Sequence, residues 1–520
     1  MKLFFQLPIL AVVLAVAGVV SLAADPKPGD VIYQRSFKNL SAETLGTEWK
    51  SLSGEASHGA RLDDGALLFD AGASGKPGSI KLERTIPLEG LRGGAIFVQA
   101  RVRAENVTDL VKPWNGIKLM LQMGSSSGVF VYPQALVGTG TFDWVTVNCV
   151  STVPMNGDTA RLVIGLEQAV GKVWFDDIVI KVLEVAPVSG GLPSKAAIAY
   201  KGHPLPRLRG AMVSTEATEE DLRLLAEWGV NSIRWQLGMV RFRQGLETPD
   251  FDLVLESELA KLDRVLPVCK KYGIYVVLDL HALSQQLFVN RINQDKLVEV
   301  WKKMAARYRD NPVIWAYDIA NEPKLGKWSE GAQLWNGLAQ RVGEAIRTVD
   351  PVKAIMVEPE YGGNPSGFIT LLPLTVSNVV YSVHMYNPHD YTHARVSNKQ
   401  QPLFTYPGMI AGKEWNKATL REELRPVIEF QKNYNVAIYV GEFSAIRWAP
   451  GAEHYLSDLI DIFEEEGWDW TYHAFREFHG WSVEHGKEMN DTQKTIAPTS
   501  RETLLRSWFA KNERPVWTGK

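Results

Sequence analysis

Two stretches of the 520-residue sequence carry a carboxylate where a buried strand would end. The first is Asn311-Pro-Val-Ile-Trp-Ala-Tyr-Asp-Ile-Ala-Asn-Glu-Pro323. Val313 to Ile319 is a run of apolar and β-branched residues, the pattern of a strand covered on both faces. Pro323 has no amide hydrogen for a ladder, so the strand is expected to stop there with Glu322 at its carboxyl end. The second stretch, Val436-Ala-Ile-Tyr-Val-Gly-Glu-Phe443, is built alike and carries Glu442 near its end. On two strands of one parallel barrel, both carboxylates would stand over the same face, where barrel enzymes hold their chemistry. Two facing carboxylates are the minimum equipment for breaking a glycosidic bond.

From residue 206 onward apolar strands alternate with amphipathic helices, which means βα units and a parallel sheet. Strands are expected near Leu208–Met212, Ser232–Gln236, Ile274–His281, Val313–Asn321, Ala354–Glu358, Val379–His384, Ala437–Glu442 and Asp469–Ala474. Thr218-Glu-Glu-Asp221 has the spacing of a capping box ahead of Leu222, Leu225 and Trp228. Eight such units fit a (β/α)8 TIM barrel. An open doubly wound sheet would bring a glycine-rich dinucleotide turn, and the sequence has none. The strand ends repeat one theme: Arg234 on the second, His281 on the third, Asn321 and Glu322 on the fourth, His384 and Tyr386 on the sixth, Glu442 on the seventh, His473 on the eighth.

The region in front, residues 31–185, has a different texture. Short alternating runs such as Ala95-Ile-Phe-Val-Gln-Ala-Arg-Val-Arg103 and Val173-Trp-Phe-Asp-Asp-Ile-Val-Ile180 are broken by glycine and asparagine, which predicts an all-β, antiparallel sandwich. Residues 186–205, rich in glycine, serine and proline, read as a linker to the barrel at 206–520. At the N-terminus, Lys2, the apolar Leu3 to Val20 and the small residues of Ser21-Leu22-Ala23 predict a signal peptide over 1–23. The mature chain is then expected to be secreted or periplasmic, free of the membrane, and monomeric. Cys149 and Cys269 fall in different regions and read as single buried thiols. A formal charge of −3, from 56 basic and 59 acidic residues, implies no nucleic acid partner.

Ile319-Ala-Asn-Glu-Pro323, Arg234 in Ile-Arg-Trp, His281 in Leu-Asp-Leu-His, His384-Met-Tyr386 and Gly441-Glu442-Phe443 together resemble glycoside hydrolase family 5. Gly171-Lys-Val-Trp-Phe-Asp-Asp-Ile-Val-Ile180 resembles the closing strands of the jelly-roll modules attached to many carbohydrate-active enzymes. There Trp49, Trp114, Phe130 and Tyr132 are candidates for a sugar platform or for core. The barrel resemblance implies a retaining β-glycosidase with Glu322 as acid/base and Glu442 as nucleophile. It also implies that Arg234 and Tyr386 support Glu442, that Asn321 holds the sugar 2-hydroxyl, and that His384 lies near Glu322 and His281 near the −1 sugar. The sequence departs from the family at the eighth strand: Trp470-Thr-Tyr-His473 puts a histidine where the family commonly has a tryptophan, and Trp481 is the candidate substitute platform. His384, His389 and His393 match no ligand motif, so no metal and no cofactor are expected. The expected substrate is an oligo- or polysaccharide, a β-linked glucan first, with mannan cleavage or an exo-β-glucosidase role behind it. A glycan-binding protein on a retired hydrolase scaffold is the reading from another class, and the presence of both glutamates argues against it.

Overall fold

The computed structural model describes residues 26–517 except 53–58, 73–77, 113, 125–129, 156, 187–199, 238–250, 282–286, 289 and 326–327. The expected signal peptide and most of the expected linker lie outside the described residues. The chain divides into two compact units. Apart from Met123–Val131 and Pro154–Asp158, the first ends at Ala186 and the second begins at Pro187.

Two sheets make up the first unit. One joins Ala60–Asp63, Ala66–Asp70, Lys172–Glu184, Ala95–Val107 and Gly140–Thr152 in that order, with Val31–Arg35 also paired to Lys172–Glu184. The other joins Lys50–Ser51, Gly78–Thr85, Thr159–Ala169, Gly116–Gly124 and Phe130–Val131. The period-two alternation sets the register. Ile96, Val98 and Val102 are buried and lie opposite the equally buried Val182, Ile180 and Phe175. Trp49 is core here, edge-on to Tyr33, so it is removed from the candidate sugar platform. Trp114 and Tyr132 are exposed and Phe130 is half-buried.

In the second unit eight parallel strands close into a barrel in chain order. They are Arg209–Val213, Ser232–Leu237, Tyr275–Leu280, Ile314–Asp318, Ala354–Val357, Val379–Met385, Ala437–Phe443 and Asp469–Tyr472. The continuous apolar runs have a simple cause. Val277, Ala316, Met356, Val380 and Tyr439 fill the barrel interior, while Val276, Leu278, Ile355, Val383 and Val440 pack against the helices. Each fully buried valine, leucine, isoleucine or methionine among these stabilises the fold by ~1.5–3 kcal/mol. The helix Glu219–Trp228 starts at Thr218 with both capping-box hydrogen bonds and buries Leu222, Leu225 and Trp228. Cys149 and Cys269 are both buried free thiols.

Two local irregularities decide what reaches the barrel mouth. The fourth strand leaves its ladder at Asp318, so Glu322 sits on the loop beyond it rather than at the strand's last residue. Its φ of 45° is left-handed, a conformation that costs a non-glycine residue energy and that the surrounding contacts must hold. On the seventh strand Val383 lies opposite Val440 but His384 lies opposite Glu442, so Gly441 is the extra residue of a bulge. Simple alternation from Tyr439 would have turned Glu442 toward the helices; the bulge turns it into the barrel. A Cβ at Gly441 would lie 2.6 Å from Ser382 Oγ and 2.8 Å from His384 Nε2, so only glycine fits.

Candidate active site

One guanidinium stands at the centre of the barrel mouth. Arg234, fully buried on the second strand, lies 2.8 Å from Glu442 Oε1, 2.9 Å from Asp318 Oδ2, 2.9 Å from Glu358 Oε1 and 3.2 Å from Asp279 Oδ1. Its Nη2 also donates to Asn321 Oδ1 at 3.0 Å. Glu358 and Glu442 also have His384 and His473 beside them, whereas Asp318 has Arg234 alone as a cationic partner among the described residues. Burial pushes the Asp318 carboxyl well above its ordinary value, and the neighbouring Glu358 and Asp279 charges add to this against the lowering by Arg234.

Glu442 is held on both oxygens. Oε1 accepts from Arg234, and Oε2 accepts from Tyr386 at 2.9 Å and lies 3.0 Å from His473 Nδ1. His473 also touches the Tyr386 hydroxyl. Burial alone would raise the Glu442 carboxyl. The charges of His384 and His473, the His473 hydrogen bond and Arg234 outweigh it and hold Glu442 well below its ordinary value.

Glu322 has a different environment. Oε1 lies 3.2 Å from His384 Nδ1, Oε2 accepts from Lys324 Nζ at 3.2 Å, and its amide donates to Glu358 Oε2 at 2.8 Å. Burial raises this carboxyl and the hydrogen bond from His384 lowers it, with a net downward displacement that the neighbouring Glu442 charge opposes. His384 is buried between Glu322 and Glu358, whose Oε1 is 3.1 Å from Nε2. Burial disfavours its charge, but Glu358 and Glu442 hold it well above the ordinary imidazole value, so it is protonated.

His281, Asn321, Glu322, His384, Tyr386, Glu442, His473 and Trp481 line a common pocket of 520 Å³, with Arg234 buried beneath it. All nine residues singled out in the sequence are thus brought together. Asn321 uses Oδ1 on Arg234 and makes no hydrogen bond through Nδ2 among the described residues, which leaves an amide donor at the pocket. His281 is fixed by Asp279 at 2.7 Å. Trp481 stacks on Tyr386 with ring centroids 5.7 Å apart and an interplanar angle of 27°, and its ring lies 4.8 Å from that of His473. It therefore supports both nucleophile contacts as well as lining the pocket. Gly480 has no left-handed φ; a Cβ there would lie 2.4 Å from Phe478 and 2.7 Å from Ile446, so close packing, not a sharp turn, requires the glycine.

Sequence reasoning missed several residues here. Glu358 closes the fifth strand's apolar run and could have been found by applying the strand-end rule once more. Asp279 and Asp318 sit inside apolar runs as lone acids, which is a signal in itself. Glu477 and Lys324 lie on loops and gave no periodic signal. His389 and His393 stack face to face at 3.9 Å on the pocket wall. Among the described residues, Glu322, His384 and Glu442 offer ligand atoms within 4.8 Å of one another, close enough for a metal ion. The same side chains are engaged with protein partners: Glu322 with His384 and Lys324, and Glu442 with Arg234, Tyr386 and His473.

The family model Cellulase (glycosyl hydrolase family 5) matches residues 196–479, more than half of the chain, and includes both glutamates. The chain belongs to glycosyl hydrolase family 5. It is an O-glycosyl hydrolase, and the glycan-binding alternative falls. Endoglucanase C of Acetivibrio thermocellus is 26% identical to this family 5 chain over 300 residues, covering 50% of this chain and 84% of that protein. Cellodextrinase A of Ruminococcus flavefaciens is 26% identical over 252 residues, covering 44% of this chain and 68% of that protein. The endoglucanase of Paenibacillus polymyxa is 31% identical over 235 residues, covering 39% of this chain and 56% of that protein.

Proposed function

We propose that this family 5 hydrolase cleaves β-linked glucan by double displacement, with Glu442 as nucleophile and Glu322 as acid/base. The observation that carries the reading is the approach of the two carboxylates. Oxygens of Glu322 and Glu442 lie within 4.8 Å of each other. Retention needs carboxyl groups roughly 5–5.5 Å apart, whereas inversion leaves roughly 6.5–9.5 Å for a water. The names of the relatives, two endoglucanases and a cellodextrinase among them, support a glucan over a mannan.

The two environments divide the labour. Glu442, gripped by Arg234, Tyr386 and His473, is ionised and aimed at the anomeric carbon. Glu322 shares one proton with His384. In the unliganded protein that proton rests on the imidazole, and the acid form arises by its transfer across 3.2 Å to Oε1, with no change in net charge. A sugar that fills the pocket removes water from Glu322 and favours the neutral carboxyl. Transfer of the glycosyl group to Glu442 then removes the negative charge that had raised Glu322. Glu322 is left as a carboxylate, suited to take a proton from the water of the second step. Asn321 Nδ2 is placed for the sugar 2-hydroxyl.

Export rests on the apolar N-terminal stretch, and the first unit's two sheets support a jelly-roll-like sandwich of carbohydrate-binding ancestry. Proton NMR of the first product from a β-linked substrate tests the mechanism. The β anomer appears first if the reading holds; an α first product means inversion and removes Glu442 as nucleophile.

A further inference from the structure

Behind the Glu442 contact lies a second carboxylate that the double-displacement scheme does not use. His473 Nε2 is 3.0 Å from Glu477 Oε2, and Gln236 Nε2, from the second strand, donates to the same oxygen at 2.5 Å. The other oxygen, Oε1, makes no hydrogen bond among the described residues, and Glu477 lines the pocket beside His473 and Trp481. Its side chain is only 11% exposed and its Oε2 is fixed by His473 and Gln236, so the free oxygen is a held acceptor on a residue that lines the pocket.

The loop that delivers it is clamped. Arg476, left-handed at φ 56°, forks onto Glu484 at 2.9 and 2.8 Å, reaches Asp221 at 2.5 Å and covers the Phe475 ring at 4.6 Å. A guanidinium committed in this way fixes the backbone on one side of Glu477, as close packing at Gly480 does on the other. Oε1 is not among the buried polar atoms left without a partner, so water reaches it, and a ligand's donor can take that water's place. The donors that arrive in this pocket are sugar hydroxyls.

We propose that Glu477 is a specificity-determining residue: Oε2 holds His473 on the nucleophile's carboxylate, and Oε1 receives a hydroxyl of the sugar bound over Glu442. The inference rests on the functional reading above and adds a sugar class to it. The site accepts neutral sugars with a hydroxyl at the reading position, rejects sugars lacking it, and excludes uronic acids by like charge. Glu477 also sets the charge on His473. Burial works against that charge, and Glu442 with Glu477 restores it, moving the imidazole up to about 10. The other groups facing His473 are the Tyr386 hydroxyl, the Trp481 ring and the His393 imidazole, which burial and its histidine neighbours keep neutral.

The test is a substrate–enzyme cycle on the full-length protein, using 4-nitrophenyl β-D-glucoside and its 3-, 4- and 6-deoxy forms with wild type, Glu477→Gln and Glu477→Asp. In wild type, deleting one of these hydroxyls should lower kcat/KM by at least about ten-fold, and in Glu477→Gln that penalty should shrink to about two-fold or less. Glu477→Gln should also gain an ionisation in its kcat/KM profile below pH 10, as His473 loses one of its two carboxylates. Glu477→Asp keeps the charge but draws the oxygen back, so it should lose the hydroxyl penalty and keep the wild-type profile. It carries the test should the glutamine variant fail to fold. Equal penalties for every deoxy form in wild type and both variants would overturn the proposal. Failure of the glucan reading has a different signature, wild-type turnover of the mannoside in place of the glucoside, and the same cycle then runs on deoxymannosides.

Discussion

Tyr386→Phe removes the hydroxyl that donates to Glu442 and touches His473, and leaves the ring. The ring keeps its stack on Trp481 and its half-buried place, so packing is preserved. Glu442 Oε2 loses a 2.9 Å donor and keeps His473 at 3.0 Å, while Oε1 keeps Arg234 at 2.8 Å. A hydrogen bond to a charged group contributes ~1.5–3 kcal/mol. That bond favours the ionised carboxylate, so its loss raises the Glu442 pKa, by about 1–2 units at 1.36 kcal/mol per unit. Glu442 starts well below its ordinary value, so the acid limb of kcat/KM should move upward toward the ordinary carboxylate range. If the same bond is retained as charge shifts toward the anomeric carbon, part of its energy cancels, and kcat/KM at the optimum should fall by roughly ten- to hundred-fold. The assay is a pH series of kcat/KM on a soluble β-glucan, with thermal unfolding to verify folding. An acid limb that stays within about 0.3 units of wild type, with kcat/KM within two-fold, would refute the assignment of Tyr386 to the nucleophile.

Other expectations are equally direct. Glu322→Gln should lose more than ~100-fold in kcat on glucan, the scale of general acid catalysis, but much less on a 2,4-dinitrophenyl glycoside whose leaving group needs no proton. Equal loss on both would move the acid elsewhere. Gly441→Ala forces a Cβ to within 2.6 Å of Ser382 Oγ, so it should cost ~1–3 kcal/mol in stability and displace Glu442; an unchanged Tm and kcat would remove the bulge from the account. Trp481→Ala should weaken catalysis by ~1–3 kcal/mol, read as kcat/KM on the best substrate; an unchanged value makes Trp481 a packed loop residue only.

The barrel was legible because its chemistry follows its period. Strands buried on both faces read as apolar runs, and polar residues stand out against them: His384 and Glu442 next to their strands' ends, as expected, and Arg234 in the middle of Ser232–Leu237 rather than at its end. The aim of those residues was less legible. Counting alternate residues from Tyr439 sends Glu442 outward, and only the pairing of His384 with Glu442 exposes the bulge that brings it in. The Asn-Glu-Pro stretch suggested a strand running to Pro323, yet the regular strand ends at Asp318, Ile319 and Asn321 keep single backbone bonds to the neighbouring strands, and the chain turns left-handed only at Glu322, which no local pattern announces. Glu358 was within reach of the rule that found its neighbours. Glu477 was not, because its place depends on Arg476 folding back onto Glu484, a contact between loop residues with no period. Trp49 illustrates the limit for aromatics: composition cannot separate a ring that packs a core from one that faces a sugar.

The central claim is that Glu442 attacks the anomeric carbon. A 2-deoxy-2-fluoro β-glucoside with a dinitrophenyl leaving group slows both steps, turnover of the glycosyl–enzyme most of all, so the intermediate accumulates and can be digested and sequenced by mass spectrometry. The account predicts one sugar per chain on the peptide containing Gly441-Glu442-Phe443, esterified at Glu442, with inactivation that a competing glucan slows. An adduct on any other residue, or full inactivation without a covalent adduct, would contradict it.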